Sequence, residues 1–140
     1  MKAINIITHP VTLIICFLLV MVSGQHFGGF YLLYILLALP HGSVHSVLAV
    51  AGITILLFSN YKYKRQFSFK IEPLLNITGV LMLLFSLYLF FYNDKGQYNY
   101  GTFYQIVPII SLVGFVLMCV VFSINNLGKL FRQVDHNRHN

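Results

Sequence analysis

The chain has 140 residues, 58% of them hydrophobic and only 9% charged, with a mean hydropathy of +0.78. Soluble domains carry about 25% charged residues, so a water-soluble globular domain is excluded, and apolar residues gathered in long runs describe an integral membrane protein. The net charge of +6 does not describe a nucleic-acid binder, because the basic residues stand at the ends of apolar runs instead of forming a polar face.

The expected fold class is all-α, with four transmembrane helices. The first apolar run is Pro10–Ser23. Pro10 follows Thr8-His9 and suits a first helical turn, where its missing N–H has no partner to lose. A competing reading makes residues 1–24 a signal peptide cut after Gly24. The small residues of "VSGQ" (22–25) favour it; the single basic Lys2 and Pro10 oppose it.

The second run, Phe27–Ser59, is 33 residues long. One crossing takes about 20 residues at 1.5 Å each, so the run is too long for one upright helix and too short for two. Pro40 removes a backbone hydrogen bond and clashes with the preceding turn. The second helix is therefore expected to be long and kinked at Pro40, or to break there with its first piece bent back.

The third run is Leu74–Tyr92, opened by Glu72-Pro73, and the fourth is Phe103–Asn125, with Pro108 in its second turn. Residues 1–126 then form one transmembrane domain, followed by a polar cytoplasmic tail over 127–140 that is expected to fray.

Charge sets the expected direction. With four crossings, Lys2, Lys62, Lys64, Arg65, Lys70, Lys129, Arg132 and Arg138 share one side and only Lys95 lies on the other. The positive-inside rule makes the first side cytoplasmic, with both termini inside, in a plasma or inner membrane. Cys16 and Cys119 fall inside apolar runs toward opposite faces, so they read as small buried hydrophobes without a disulfide.

The stretch "ALPHGSVHS" (38–46) places Pro40, His41, Gly42 and His45 deep in the second run. If the helix keeps phase, Tyr34, Ala38, His41, His45, Ala49 and Gly52 share one face. Two chemistries suit that face. Small residues let neighbouring backbones approach, so Ala38, Gly42, Ser46, Ala49 and Gly52 are packing candidates, joined by Asn76 and Gly79 on the third run. Alternatively, His41 and His45 at i, i+4 could hold a transition metal, with His26 as a third ligand, or haem b with His26 opposite. Neutral imidazole is also satisfied by a hydroxyl or a freed carbonyl, which leaves the histidines structural.

On the third run Glu72, Asn76, Gly79 and Ser86 share a face. On the fourth, Gln105, Pro108, Ser111 and Gly114 read as a second close-packing region. "LPHG" (39–42) resembles the proline-histidine-glycine stretch of the membrane carotenoid-cleaving dioxygenases, which ligate iron through several histidines. The acidic residue of that pattern is not matched here, and the third and fourth runs hold no histidine. No function is carried across.

There is no Ser-His-Asp order, no paired carboxylates, no phosphate loop and no Cys-x2-Cys. The expected function is therefore non-enzymatic: an accessory or structural membrane subunit without a cofactor, acting through helix packing in the bilayer with copies of itself or a larger complex. The alternatives are a histidine-ligated metal or haem b protein and a small channel or transporter.

Overall fold

The computed structural model describes residues 9–24, 28–63, 71–92 and 99–138. They are mostly helical: α1 Pro10–Leu18, α2 Tyr31–Ala38, α3 Val44–Tyr63, α4 Glu72–Tyr92 and α5 Ile106–Arg138. Two three-residue strands, β1 Met21–Ser23 and β2 Gly28–Phe30, pair antiparallel between α1 and α2, with Val22 opposite Gly29. Single 3₁₀ turns cover Leu39–His41 and Tyr100–Phe103.

Three helices, α3, α4 and α5, are long and apolar enough to cross a membrane. Their exposed residues are overwhelmingly Leu, Ile, Val and Phe, the surface a bilayer requires. The first run departs from the expected helix. Nine residues form α1, and the chain then becomes extended, so the fold holds a small β element. α5 continues through the polar segment to Arg138, where fraying was expected.

One inward-facing stripe on each long helix recurs at alternating spacings of four and three. The stripes are His45, Ala49, Gly52, Leu56 and Ser59 on α3; Asn76, Gly79, Leu83, Ser86 and Phe90 on α4; and Phe115, Cys119, Phe122 and Asn126 on α5. Every one of these is fully buried except His45, which is partly exposed. A 3.5-residue repeat is the signature of helices packed at a shallow left-handed angle.

α3 and α4 run antiparallel and touch through glycine. A Cβ added to Gly52 would lie 3.0 Å from the Gly79 carbonyl oxygen and 2.9 Å from Leu83 Cδ2; one added to Gly79 would lie 2.7 Å from Leu56 Cγ. No side chain separates the two backbones at this point. Because apolar surface gains nothing over lipid by burial against another helix, such close packing is what holds membrane helices together.

The end of the bundle that carries the α3–α4 connection is called here the basic end, and the opposite one the hairpin end. At the hairpin end an aromatic cluster fills the centre. Phe17 meets Tyr31 edge-on with ring centroids 5.3 Å apart and Phe115 at 5.4 Å, and Tyr31 meets Phe90 at 5.0 Å. The hydroxyl of Tyr31 lies 2.9 Å from Ser86 Oγ, while Tyr34 and His45 both pack on Phe90. Both ends of the segment 31–45 thus meet α4 within Ser86–Phe90, about 6 Å of helix axis. α2 stays in the hairpin half of the bundle.

Replacing Gly52 or Gly79 by valine is expected to destabilise the protein by about 1–3 kcal/mol through overpacking. Gly101→Ala, where an added Cβ would lie 3.1 Å from Ser23 O, should also destabilise the fold, by loosening the contact of the 3₁₀ turn with the hairpin. Thermal unfolding in mild detergent checks both.

Candidate functional site

The polar side chains of a membrane bundle are its candidate site, and here they gather at three places. The first is the break between α2 and α3. Pro40 offers no N–H to the preceding turn, and Gly42 follows with φ 64°, the left-handed conformation that ends helices. Of the two expected outcomes, a kink or a break at Pro40, the chain takes the break, and the run forms two helices. Two carbonyls at the break are taken up locally: His41 Nδ1 donates to Leu37 O at 3.0 Å, and Ser43 Oγ donates to Ala38 O at 3.2 Å, beside a 3.4 Å bond from its own N–H. Ser43 then opens α3, its carbonyl accepting from the N–H groups of Ser46 and Val47 and from Ser46 Oγ at 2.8 Å.

This break also separates the two histidines. His41 is exposed in the 3₁₀ turn, and His45 lies in the first turn of α3 with its ring 5.3 Å from that of Phe90. They do not share a continuous helix, so the i, i+4 spacing no longer places them on one helical face. His45 Nε2 is buried without a hydrogen-bond partner among the described residues. No group of three His, Cys, Asp or Glu side chains that could hold a metal occurs among the described residues, and His26 lies outside them.

The second place is the hairpin. An extended segment inside a bilayer must have its backbone groups satisfied by protein. Met21 N–H donates to Ser111 Oγ at 2.9 Å, Ser23 N–H to Thr102 Oγ1 at 2.9 Å, and Tyr31 N–H to Val20 O at 2.8 Å. Ser111 is held in place by donating to Pro108 O at 2.8 Å. α5 passes Pro108 unbroken because a proline in the first turn costs no helical hydrogen bond. Gly101 leaves room for the hairpin, since a Cβ there would lie 3.1 Å from Ser23 O. Gln105 and Gly114 are exposed and take no part.

The third place is the seam of α3, α4 and α5. Ser86 Oγ donates to His45 O at 2.6 Å while paired with Tyr31. Toward the basic end, Asn76 Nδ2 donates to Asn126 Oδ1 at 2.9 Å, and Asn126 Nδ2 donates to Phe122 O at 2.8 Å. The carbonyl of Phe122 fixes which way the Asn126 amide points, and this in turn fixes Asn76. Glu72 and Lys129 close the end with a 3.7 Å ion pair. Between Ser86 and Asn76 the α3–α4 seam is lined by Ala49, Gly52, Leu56, Gly79, Val80 and Leu83, without a polar side chain.

No protein-family model, no curated protein and no solved structure matches the chain. Its function has to be read from these contacts.

Of the small residues singled out in the sequence, Ser46, Ala49, Gly52, Asn76 and Gly79 lie inside the seam, whereas Ala38 is half-buried and Gly42 is exposed at the break. Sequence reasoning missed Asn126, Thr102 and Tyr31. Asn126 carried a usable signal, an amide seven residues beyond Cys119 on the same face. Thr102 and Tyr31 acquire their roles only from the hairpin.

The Asn76–Asn126 pair generates an asymmetric expectation. Asn126→Leu alone strands the Asn76 amide in an apolar seam and should cost about 1–3 kcal/mol, whereas Asn76→Leu/Asn126→Leu together should recover most of that loss. A double-mutant cycle on unfolding in detergent measures it.

Proposed function

We propose that the protein is a small non-enzymatic membrane subunit whose helices serve as packing surfaces for a second copy or a larger membrane complex. The observation that carries this reading is α5. It is 33 residues long, and only 22% of its membrane window is buried within the chain. Val107, Gly114, Val121 and Gly128 recur on its uncovered side every seven residues, and an added Cβ at either glycine meets nothing within 4 Å. A smooth seam with coiled-coil spacing is what a neighbouring helix needs. The polar side chains within the chain, by contrast, are mostly committed to its own backbone and to one another.

The same reading gives the chain four crossings with both termini cytoplasmic. The fourth crossing is the first run, as helix and then strand. α1 contributes about 13 Å and residues 20–23 about 13 Å more. Its contacts with Phe115 and Thr102 support this depth. Labelling of single-cysteine variants from outside should reach Lys95→Cys and miss Lys2→Cys and Arg138→Cys. An odd number of crossings would label one terminus.

One observation favours a second reading, an imidazole-bound metal or haem b: the unpartnered Nε2 of His45. Purified tag-free protein distinguishes the two. The packing reading expects a dimer or a co-purifying partner in mild detergent, lost on Gly114→Leu/Val121→Leu, and no metal. A strictly monomeric, partner-free protein holding near-stoichiometric metal that disappears in His45→Ala would establish the second reading instead.

A further inference from the structure

The start of α1 rests on one residue. Pro10 supplies no N–H. Of the three N–H groups that follow it, every one ends on His9. Those of Thr12 and Leu13 donate to its carbonyl oxygen at 3.0 and 3.3 Å, and that of Val11 donates to its Nδ1 at 3.3 Å. The His9 backbone is extended, with φ −85° and ψ 131°, the geometry of a capping residue. Any residue could make the two carbonyl bonds at this position. The third bond belongs to the imidazole.

The direction of that third bond fixes the state of the ring. A backbone N–H can only donate, so Nδ1 accepts and the hydrogen of the neutral ring sits on Nε2. A second proton then has only Nδ1 to go to. It turns the acceptor into a donor facing a donor, and it places a positive charge at the positive end of the helix dipole. His41 behaves in the opposite way. Its Nδ1 faces the carbonyl of Leu37 and already donates, so a proton added at Nε2 leaves that bond in place.

The surroundings of His9 offer no compensation for an added charge. The residue is exposed, at the end of α1 that points away from the hairpin. α1 packs on α3 and α5. The titratable and charged side chains described toward that end are Tyr61 of α3, Glu72 of α4, and Lys129 and Arg132 of α5. The one carboxylate among them, Glu72, pairs with Lys129, and none of the four is bonded to His9 among the described residues. α1 has nine residues, and helices shorter than about 12–15 residues do not hold themselves. Its first turn therefore depends on the cap.

We propose that His9 is a proton-sensitive cap: uptake of a proton at Nδ1 releases the Val11 N–H and loosens the first turn of α1, while the buried Leu13, Ile14 and Phe17 keep the rest of the helix in the core. The neutral ring is the form that caps. The capped turn is thus present above the titration of the imidazole and lost as pH falls through it.

Amide hydrogen exchange at Val11 in the full-length protein, in mild detergent, tests this. Each rate is divided by the rate of an unstructured amide at the same pH. Between about pH 8 and about pH 5, which brackets imidazole titration, protection at Val11 should fall by about two- to thirtyfold, the range of a lost capping bond. His9→Asn caps without titrating, so its protection should be equal at both pH values. His9→Ala should be low at both. Ring nitrogen chemical shifts of His9 at the higher pH should place the hydrogen on Nε2. Unchanged protection in the parent would overturn the proposal, as would a pH-dependent loss that persists in His9→Asn, full protection in His9→Ala, or a hydrogen on Nδ1 at the higher pH.

Discussion

In the hydrocarbon core of a bilayer no water waits to accept a hydrogen bond, so each backbone group released from a helix must find a partner within the protein. The break at Pro40 and the extended residues 20–23 each meet that demand with side chains of the chain itself. Pro40 and Gly42 break a helix, and His41 and Ser43 bond the carbonyls of Leu37 and Ala38. Residues 20–23 leave helical geometry, and Ser111 and Thr102 receive the freed N–H groups. Without these side chains the break and the hairpin would carry unpaired groups at a cost of several kcal/mol each, and straight helices would be the only alternative.

The departures from straight helix have a consequence for packing. They deliver Tyr31 into the space between α4 and α5, edge-on to Phe17 of α1. Tyr31 then bridges to Ser86, which is bonded to the start of α3. The hairpin half of the bundle is held by this aromatic wedge and the α3–α4 contact by glycine. The basic end is held by an amide pair and an ion pair. The ion pair is weak by comparison, because Lys129 is 48% exposed and exposed pairs contribute about 0–1 kcal/mol.

Much of this was legible in the sequence. The runs that became α3, α4 and α5 announce themselves by length and hydropathy, and Glu72-Pro73 marks the start of α4. The face Glu72, Asn76, Gly79, Ser86 follows from helical period alone, and all four residues meet another helix. The hairpin was not legible, because a short apolar run such as "VMVS" reads equally as helix or strand until its partners are known. The placement of the two histidines was hard to read for a related reason. Their i, i+4 spacing implies a shared face only on a continuous helix, and the residues between them end one helix and begin the next. The terminal-turn position of His41, just before a glycine, was the available hint that it caps a helix.

The central claim is that the side chains of His41, Ser43, Thr102 and Ser111 take up backbone groups released at the break and the hairpin. It is tested most directly by amide hydrogen exchange at Met21 and Ser23 in Thr102→Val, which keeps the shape of the threonine and removes only the hydroxyl. The account predicts faster exchange at Ser23, by about five- to thirtyfold for a lost contribution of about 1–2 kcal/mol, with little change at Met21, whose acceptor Ser111 is intact. Unchanged exchange at Ser23 would contradict it.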